Sequence, residues 1–125
     1  MQEIKITKTE NSKLSELDFD NIPLGKIFTD HMFVCDYENG AWKNPRIEPM
    51  HSIATHPATM ALHYGQAIFE GMKATLNEDG TPLLFRPNKN ASRINFSARR
   101  MGMPEFPEAL FIEGLKQIVS LDRDW

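Results

Sequence analysis

Two short turn signals, Asn39-Gly40 and Asp79-Gly80, constrain the fold of this chain most strongly. Both residues of such a dipeptide tolerate a positive φ, which a two-residue turn between antiparallel strands requires. Residues 28–49 surround the first turn and are rich in β-branched and aromatic side chains, although Pro45 and Pro49 interrupt the return half. We therefore predict a hairpin there with an edge-like return strand.

The residues around the second turn predict another hairpin. Residues 67–76 form a largely apolar run that favours a buried strand, and residues 83–87 supply its return. Within that run, Glu70 and Lys73 are three positions apart and would point to opposite faces of a strand. We therefore expect neither a direct ion pair nor an acid–base dyad between them.

Three stretches carry helical signals. The proline of segment 55–57 favours a short helix that ends near Gly65. A second helix is predicted to begin at the asparagines of residues 87–90 and to end at Gly102. Its predicted apolar positions are Ala91, Ile94, Ala98 and Met101. A third helix is predicted to begin at Pro107 and to carry an apolar side.

The order of these elements predicts an α+β fold with an antiparallel sheet and helices packed on one face. Residues 1–22 are polar and predict an N-terminal arm that is either mobile or an edge strand containing Ile4 and Ile6. Residues 23–125 suit a single domain, because a chain of 125 residues is long enough for one core.

Composition argues against several classes of protein. A net charge of -3 gives no basic surface for nucleic acid. The single cysteine, Cys35, allows neither an intrachain disulfide nor a zinc site made of thiolates, so we expect a structural thiol in a reducing cytoplasm. The sequence has no run of about 18 apolar residues, which predicts no membrane partner.

Local motifs leave the chemistry open. The four histidines are not spaced as metal ligands, so we expect no metal, and the common glycine-rich phosphate motifs are absent. Arg93, one turn into the second predicted helix, has the fork geometry for a phosphate, or it lies in solvent over apolar neighbours. Tyr64 beside Gly65 suits a substrate carboxylate or a backbone group.

A series of five motifs extends over residues 23–125. They are FTDHMFVCDY, PRIEPM, ALHYGQAIFEGMKA, LFRPNKNASRINFSARRMGMP and LKQIVSLDRDW. Together and in this order they resemble the N-terminal part of branched-chain amino-acid aminotransferases, pyridoxal-phosphate enzymes of fold type IV. The resemblance implies most of a small α/β domain, which forms one wall of a cofactor cleft, and a separate C-terminal large domain.

The resemblance also implies roles for individual residues. Tyr64 and Phe69 match the tyrosine and phenylalanine that contact the substrate in that family, and Arg93 matches the arginine that binds the cofactor phosphate. Leu24 stands where some members have phenylalanine, so the shape of the apolar pocket is expected to differ.

In the family, the complete enzyme transfers the amino group of leucine, isoleucine or valine to 2-oxoglutarate through pyridoxal 5′-phosphate. The catalytic lysine belongs to the large domain, and none of the eight lysines here lies in a matching motif. We therefore expect no catalytic residue in this chain, weak or absent cofactor binding, no activity of the chain alone, and a homodimer as the assembly.

Two alternatives to this interpretation are retained. One keeps the fold type but changes the substrate, as in D-amino-acid aminotransferase or aminodeoxychorismate lyase. The other is a binding or oligomerisation module without catalysis. The FTDHM and RRMGMP motifs favour the branched-chain group over the first alternative.

Overall fold

Within residues 2–125, the computed structural model contains five β-strands and three α-helices. The strands are β1 (Lys5–Ile6), β2 (His31–Glu38), β3 (Ala41–Pro49), β4 (Ala74–Leu76) and β5 (Pro82–Leu84). The helices are α1 (Met60–Tyr64), α2 (Pro87–Arg100) and α3 (Glu108–Leu121). This mixture of separate sheets and helices confirms the predicted α+β class.

The chain divides into two compact units. The first comprises the residues up to His51 together with Gly114–Trp125, and the second comprises Ser52–Glu113. The first unit contains a three-stranded sheet in the order β1-β3-β2, and the second contains the two-stranded sheet β4-β5. The predicted site residues all lie in the second unit.

The hairpin predicted around Asn39-Gly40 is confirmed. Strands β2 and β3 pair antiparallel from His31 opposite Pro49 to Glu38 opposite Ala41. Asn39 and Gly40 have φ angles of 51° and 79°, as a tight turn that follows the twist of the strands requires.

The prediction that the return strand lies at an edge is wrong, because β3 is the central strand. Besides β2, it pairs in parallel with β1 through Arg46 and Ile47, which makes this sheet mixed. Pro45 is tolerated there because the register between β2 and β3 shifts at this point, so no ladder hydrogen bond is lost. The two edge strands are β1 and β2. The position of β1 favours the edge-strand prediction for the N-terminal segment over a mobile arm.

A buried histidine joins distant segments of the first unit. The carboxylate of Asp122 accepts a hydrogen bond from the ring Nδ1 of His31 at 2.6 Å and another from the His31 main-chain N–H at 3.1 Å. The main-chain N–H of Thr9 donates to the ring Nε2 at 2.9 Å. Both ring nitrogens are therefore satisfied inside the protein, as a buried polar side chain requires.

The second predicted hairpin is confirmed, but its first strand is not. Strands β4 and β5 pair antiparallel around a turn in which Gly80 has a φ of 79°. Strand β4 is only three residues long and is exposed, so the prediction of a buried strand over residues 67–76 is wrong. The preceding residues are held by side chains of α2 instead of a neighbouring strand.

Helix α1 begins at Met60, three residues later than Pro57, where the sequence pattern placed its start. The preceding residues form a turn closed by a hydrogen bond of 2.7 Å from Thr59 Oγ1 to the carbonyl of His56. The helix ends at Gly65, whose φ of 61° suits glycine at this position, and this end agrees with the prediction.

Helix α2 begins at Pro87, and Arg86 with a φ of 51° precedes it as the N-cap. The prediction that an asparagine caps this helix is therefore wrong, because proline at the first helical position fixes the start earlier. The predicted end is correct: Gly102 has a φ of 65°, and Met103 N–H donates to the Ala98 carbonyl at 2.8 Å.

Helix α3 begins directly after Pro107, as predicted. The loop before it is fixed by the buried Asn95 of α2, a residue that the sequence pattern did not indicate. Its side-chain amide exchanges two hydrogen bonds of 2.8 Å with the main chain of Phe106. No helix within residues 2–125 combines the length and the apolar character needed to cross a bilayer.

Candidate functional site

The predicted phosphate ligand Arg93 lies in the second turn of α2 and binds the carboxylate of Glu70. Its Nε donates to Glu70 Oε2 at 2.7 Å, and its Nη2 donates to Oε1. The Glu70 side chain is 6% exposed, whereas that of Arg93 is 66% exposed. The pair therefore combines a buried carboxylate with a guanidinium that remains accessible to solvent.

Glu70 is held in place by further donors. The main-chain N–H of Gly71 donates to its Oε1 at 2.9 Å, and Asn90 Nδ2 donates to the same oxygen at 3.2 Å. These bonds, led by the one from Arg93, lower the pKa of Glu70 from 4.5 to about 2 in spite of burial, which acts in the opposite direction. Glu70 is therefore ionised at neutral pH.

Residues 66–71 run along α2 from its C-terminal end towards its N-terminal end. Gln66 Nε2 donates to the Met101 carbonyl at 2.9 Å, and Asn90 Nδ2 donates to the Gly71 carbonyl at 3.3 Å. Five extended steps cover roughly 17 Å, and the eleven helical steps from Asn90 to Met101 cover about as much. The spacing of these anchors explains why this segment lies along a helix instead of forming a strand.

Arg93 keeps donors for a second partner. A guanidinium has five N–H groups, and Glu70 uses the side of the fork formed by Nε and Nη2. The two N–H groups of Nη1 and the second one of Nη2 form another fork, which suits two oxygens of a phosphate. The ion pair with Glu70 is therefore compatible with anion binding by the same side chain.

A cleft of about 280 Å³ lies at the start of α2 beside this arginine. It is lined by Phe85, Arg86, Lys89, Asn90 and Arg93. Three of these side chains are cationic, and the cleft is at the positive end of the dipole of a helix of 14 residues. The cationic donors of the cleft therefore fit an anionic group such as the phosphate of pyridoxal 5′-phosphate.

The two predicted substrate residues are exposed. Tyr64 is the last residue of α1 and is 77% exposed, and Phe69, the neighbour of Glu70, is 91% exposed. Exposure alone does not distinguish these two residues, because other large apolar side chains such as Leu24 and Phe85 are also exposed. Their roles in substrate binding stay a prediction.

Other side chains bear on the chemistry of this chain. Burial is the main cause that raises the pKa of the Cys35 thiol, which keeps the thiol protonated and unreactive at neutral pH. In the part of the chain that the structure describes, no three histidine, cysteine or acidic residues are grouped as metal ligands.

The sequence indicated Arg93 but not the three residues that complete its surroundings. A carboxylate within an apolar run needs a partner, so Glu70 was the one feature of the sequence that could have indicated this contact. Its partner could not be identified from local spacing, because Arg93 lies 23 positions away. Arg86 and Lys89 line the cleft from either side of Pro87, the first residue of the helix.

Comparisons with known proteins identify relatives of this chain by sequence. No family model matches the chain. It is 45% identical over 123 residues to "Branched-chain-amino-acid aminotransferase 2" of Bacillus subtilis (strain 168), an alignment that covers 98% of this chain and 33% of the relative. It is 48% identical over 109 residues to "Branched-chain-amino-acid transaminase 1" of the same strain, covering 86% of this chain and 31% of that relative.

A third relative comes from another genus. The chain is 42% identical over 125 residues to a "Probable branched-chain-amino-acid aminotransferase" of Staphylococcus epidermidis (strain ATCC 35984), covering 99% of this chain and 34% of the relative. The chain spans about a third of the length of the curated relatives it matches. The resemblance inferred from its motifs is thus confirmed: the chain is related to branched-chain-amino-acid aminotransferases along nearly its whole length.

Proposed function

We propose that this chain is part of a branched-chain aminotransferase that uses pyridoxal 5′-phosphate, and that it supplies contacts to the cofactor phosphate and to the substrate. The observation that carries the proposal is the position of Arg93, accessible beside a cationic cleft at the start of α2. Relatives named as branched-chain-amino-acid aminotransferases support the reaction class.

In this proposal, Arg93 holds the phosphate through the fork that Glu70 leaves free, and Arg86 and Lys89 add positive charge. When bound, pyridoxal phosphate supplies the electron sink for amino transfer. The groups of this chain bind and orient the phosphate, whereas the lysine that moves the substrate α-proton is proposed to lie in the part of the relatives that this chain does not span. The chain alone is accordingly proposed to be inactive.

Tyr64 and Phe69 are proposed to line the pocket for the branched aliphatic side chain, with the Tyr64 hydroxyl available to the substrate carboxylate. Both residues lie close in sequence to Glu70. The segment whose carboxylate binds Arg93 therefore also carries the two proposed substrate residues. We further propose that the complete enzyme contains a C-terminal large domain, forms a homodimer and is located in the cytoplasm.

The phosphate contact is tested by replacing Arg93 with alanine. The probe is pyridoxine 5′-phosphate, which has no aldehyde and therefore forms no imine with the lysines, followed by ¹⁵N nuclear magnetic resonance of the start of α2. We expect Arg93→Ala to weaken binding by about tenfold or more, because a bidentate charged contact is lost.

Two controls define the outcome of that experiment. Arg99→Ala removes another arginine of α2, one that pairs with Glu105 at 2.6 Å outside the cleft, and should leave the affinity unchanged. Pyridoxine without the phosphate should bind more weakly than the phosphate ester. Equal affinities of the unaltered chain and Arg93→Ala would remove Arg93 from the site.

Substrate class is a separate question, since D-amino-acid aminotransferases and aminodeoxychorismate lyases share the fold type that the motifs indicate. The names of the matched relatives favour branched-chain substrates. Comparing leucine with D-alanine in an enzyme completed with the rest of a relative separates the two. A preference for D-alanine would contradict the branched-chain proposal.

A further inference from the structure

We propose that Glu70 is the positioning residue for Arg93: it fixes the plane and direction of the guanidinium, so that the remaining fork points into the cleft at the start of α2. This inference rests on the proposed function, because it assigns a task to Glu70 within the same phosphate site. It concerns a residue that contacts the arginine and is not itself a ligand of the phosphate.

The contact between the two side chains has the geometry of a clamp. The carboxylate engages Nε and Nη2 at once, and a two-point contact prevents rotation of the guanidinium about its own bonds. A long side chain that is 66% exposed otherwise samples many rotamers, and ordering it would weaken ligand binding. The contact with Glu70 thus orders the Arg93 side chain before a ligand binds, so that less conformational entropy is lost on binding.

Glu70 is itself immobile enough for this task. Its side chain is 6% exposed, and its carboxylate accepts hydrogen bonds from Gly71 N–H and from Asn90 Nδ2. Asn90 also donates to the Gly71 carbonyl, so the same amide fixes the backbone that carries Glu70. The groups that fix Glu70 therefore come from its own segment and from α2, the helix that carries Arg93.

The negative charge of Glu70 acts against anion binding. An effect of charge and an effect of positioning therefore predict opposite changes in phosphate affinity when Glu70 is neutralised. A carboxylate beside a guanidinium cancels much of its positive field, so an effect of charge alone predicts tighter phosphate binding once Glu70 is neutralised. Positioning predicts the reverse. Arg86 and Lys89 keep the cleft cationic in either case, so the two predictions are compared at the same site.

The deciding variant is Glu70→Gln, titrated with pyridoxine 5′-phosphate. The amide has the size of the carboxylate but presents one N–H₂ donor towards the guanidinium, so the two-point contact is lost. We expect the affinity to fall about threefold to tenfold, the cost of ordering one long side chain. Unchanged or tighter binding in Glu70→Gln would overturn the proposal.

Glu105→Gln is the matched control. It makes the same change of charge in a second glutamate–arginine pair, Glu105 with Arg99, which lies outside the cleft. Its affinity for the probe should equal that of the unaltered chain. A fall of the same size in Glu105→Gln would assign the effect to general stability or charge, and would contradict positioning by Glu70.

A second measurement needs no substitution. The ¹⁵Nε relaxation of the arginines in the unaltered chain should give Arg93 an order parameter above about 0.6, the upper limit for flexible groups, and Arg86 a lower one. Equal mobility of the two side chains would overturn the clamp. Failure of Arg93→Ala to weaken binding would instead contradict the proposed function, so the two failures are distinguishable.

Discussion

Glu70 is ionised although its side chain is buried. Its bond with Arg93 is the main reason that its pKa is lowered to about 2, and the bonds from Gly71 N–H and Asn90 act in the same direction. An acid whose pKa is lower in the folded than in the unfolded state stabilises the fold wherever it is ionised.

The pH dependence of this contribution has a definite sign. It should be fully present above the unfolded pKa of about 4.5 and should be lost as the pH falls from there towards about 2. The measurement is the free energy of unfolding of the unaltered chain and of Glu70→Gln, by urea titration at pH 7, 5 and 3. The difference between them should shrink at the lowest pH, and a difference that grows on acidification would contradict the pKa shift.

Residues chosen from the sequence and residues found in the structure differ in a physical way. Helix spacing left the role of Arg93 open, and the series of motifs indicated it by matching it to the arginine that binds the cofactor phosphate in the family. Glu70 and Asn95 act through partners at distances of 23 and 11 positions, and such contacts depend on how the chain folds back. Local patterns therefore do not show them.

Among the elements, turns were predicted better than strands. Asn39-Gly40 and Gly80 adopt the positive φ angles that their residue types favour, because this preference is local. The strand predicted over residues 67–76 failed because the side chains of Arg93 and Asn90 on α2 bind Glu70 and the Gly71 carbonyl. Just before this segment, the Gln66 side chain donates to the main-chain carbonyl of Met101. Apolar composition alone does not distinguish an extended segment along a helix from a strand in a sheet.

The approach of α3 to the first sheet depends on a glycine. A Cβ atom at Gly114 would lie 2.9 Å from the ring of Phe33 on β2, which is too close for two carbon atoms. Alanine would otherwise favour the helix by about 1 kcal/mol. The sign of a substitution at Gly114 therefore depends on the neighbouring ring.

We expect Gly114→Ala to destabilise the unaltered chain by about 1 kcal/mol, because the overpacking exceeds the gain in helix propensity. In a chain that carries Phe33→Val, which lacks the ring, the same substitution should stabilise. Urea unfolding of the four chains of this double-mutant cycle measures the coupling. A Gly114→Ala effect that is the same in both backgrounds would show that the ring does not determine it.

At the scale of the whole chain, the first unit joins residues near both ends of the sequence. Asp122 binds His31 across 91 positions, and the indole N–H of Trp125 donates to Asp30 at 3.0 Å. Burial acts to raise the pKa of Asp30, but hydrogen bonds from Ser12, from the main chain of Lys13 and from Trp125 outweigh it and lower the pKa. These contacts join the residues that follow α3 to the segment at the start of β2.

Asp122→Ala should cost about 2–4 kcal/mol of unfolding free energy, because two N–H donors of His31 would lose their buried acceptor. The side chains of this pair are 6% and 7% exposed. Asp124→Ala is the control, since its side chain is 77% exposed, and it should change stability by less than about 0.5 kcal/mol. Thermal or urea unfolding compares the two, and equal effects would contradict a structural role for the Asp122–His31 pair.

The most direct test replaces the matched segment of "Branched-chain-amino-acid aminotransferase 2" of Bacillus subtilis with this chain, with which it shares 45% identity over 123 residues. The measurement is glutamate formation from leucine and 2-oxoglutarate in the presence of pyridoxal 5′-phosphate. We expect the hybrid enzyme to transaminate, Arg93→Ala to lower its kcat/KM by about tenfold or more, Arg99→Ala to leave it unchanged, and the 125-residue chain alone to be inactive. A folded hybrid without activity, or transamination by the chain alone, would contradict the proposal that this chain supplies the phosphate contact and not the catalytic lysine.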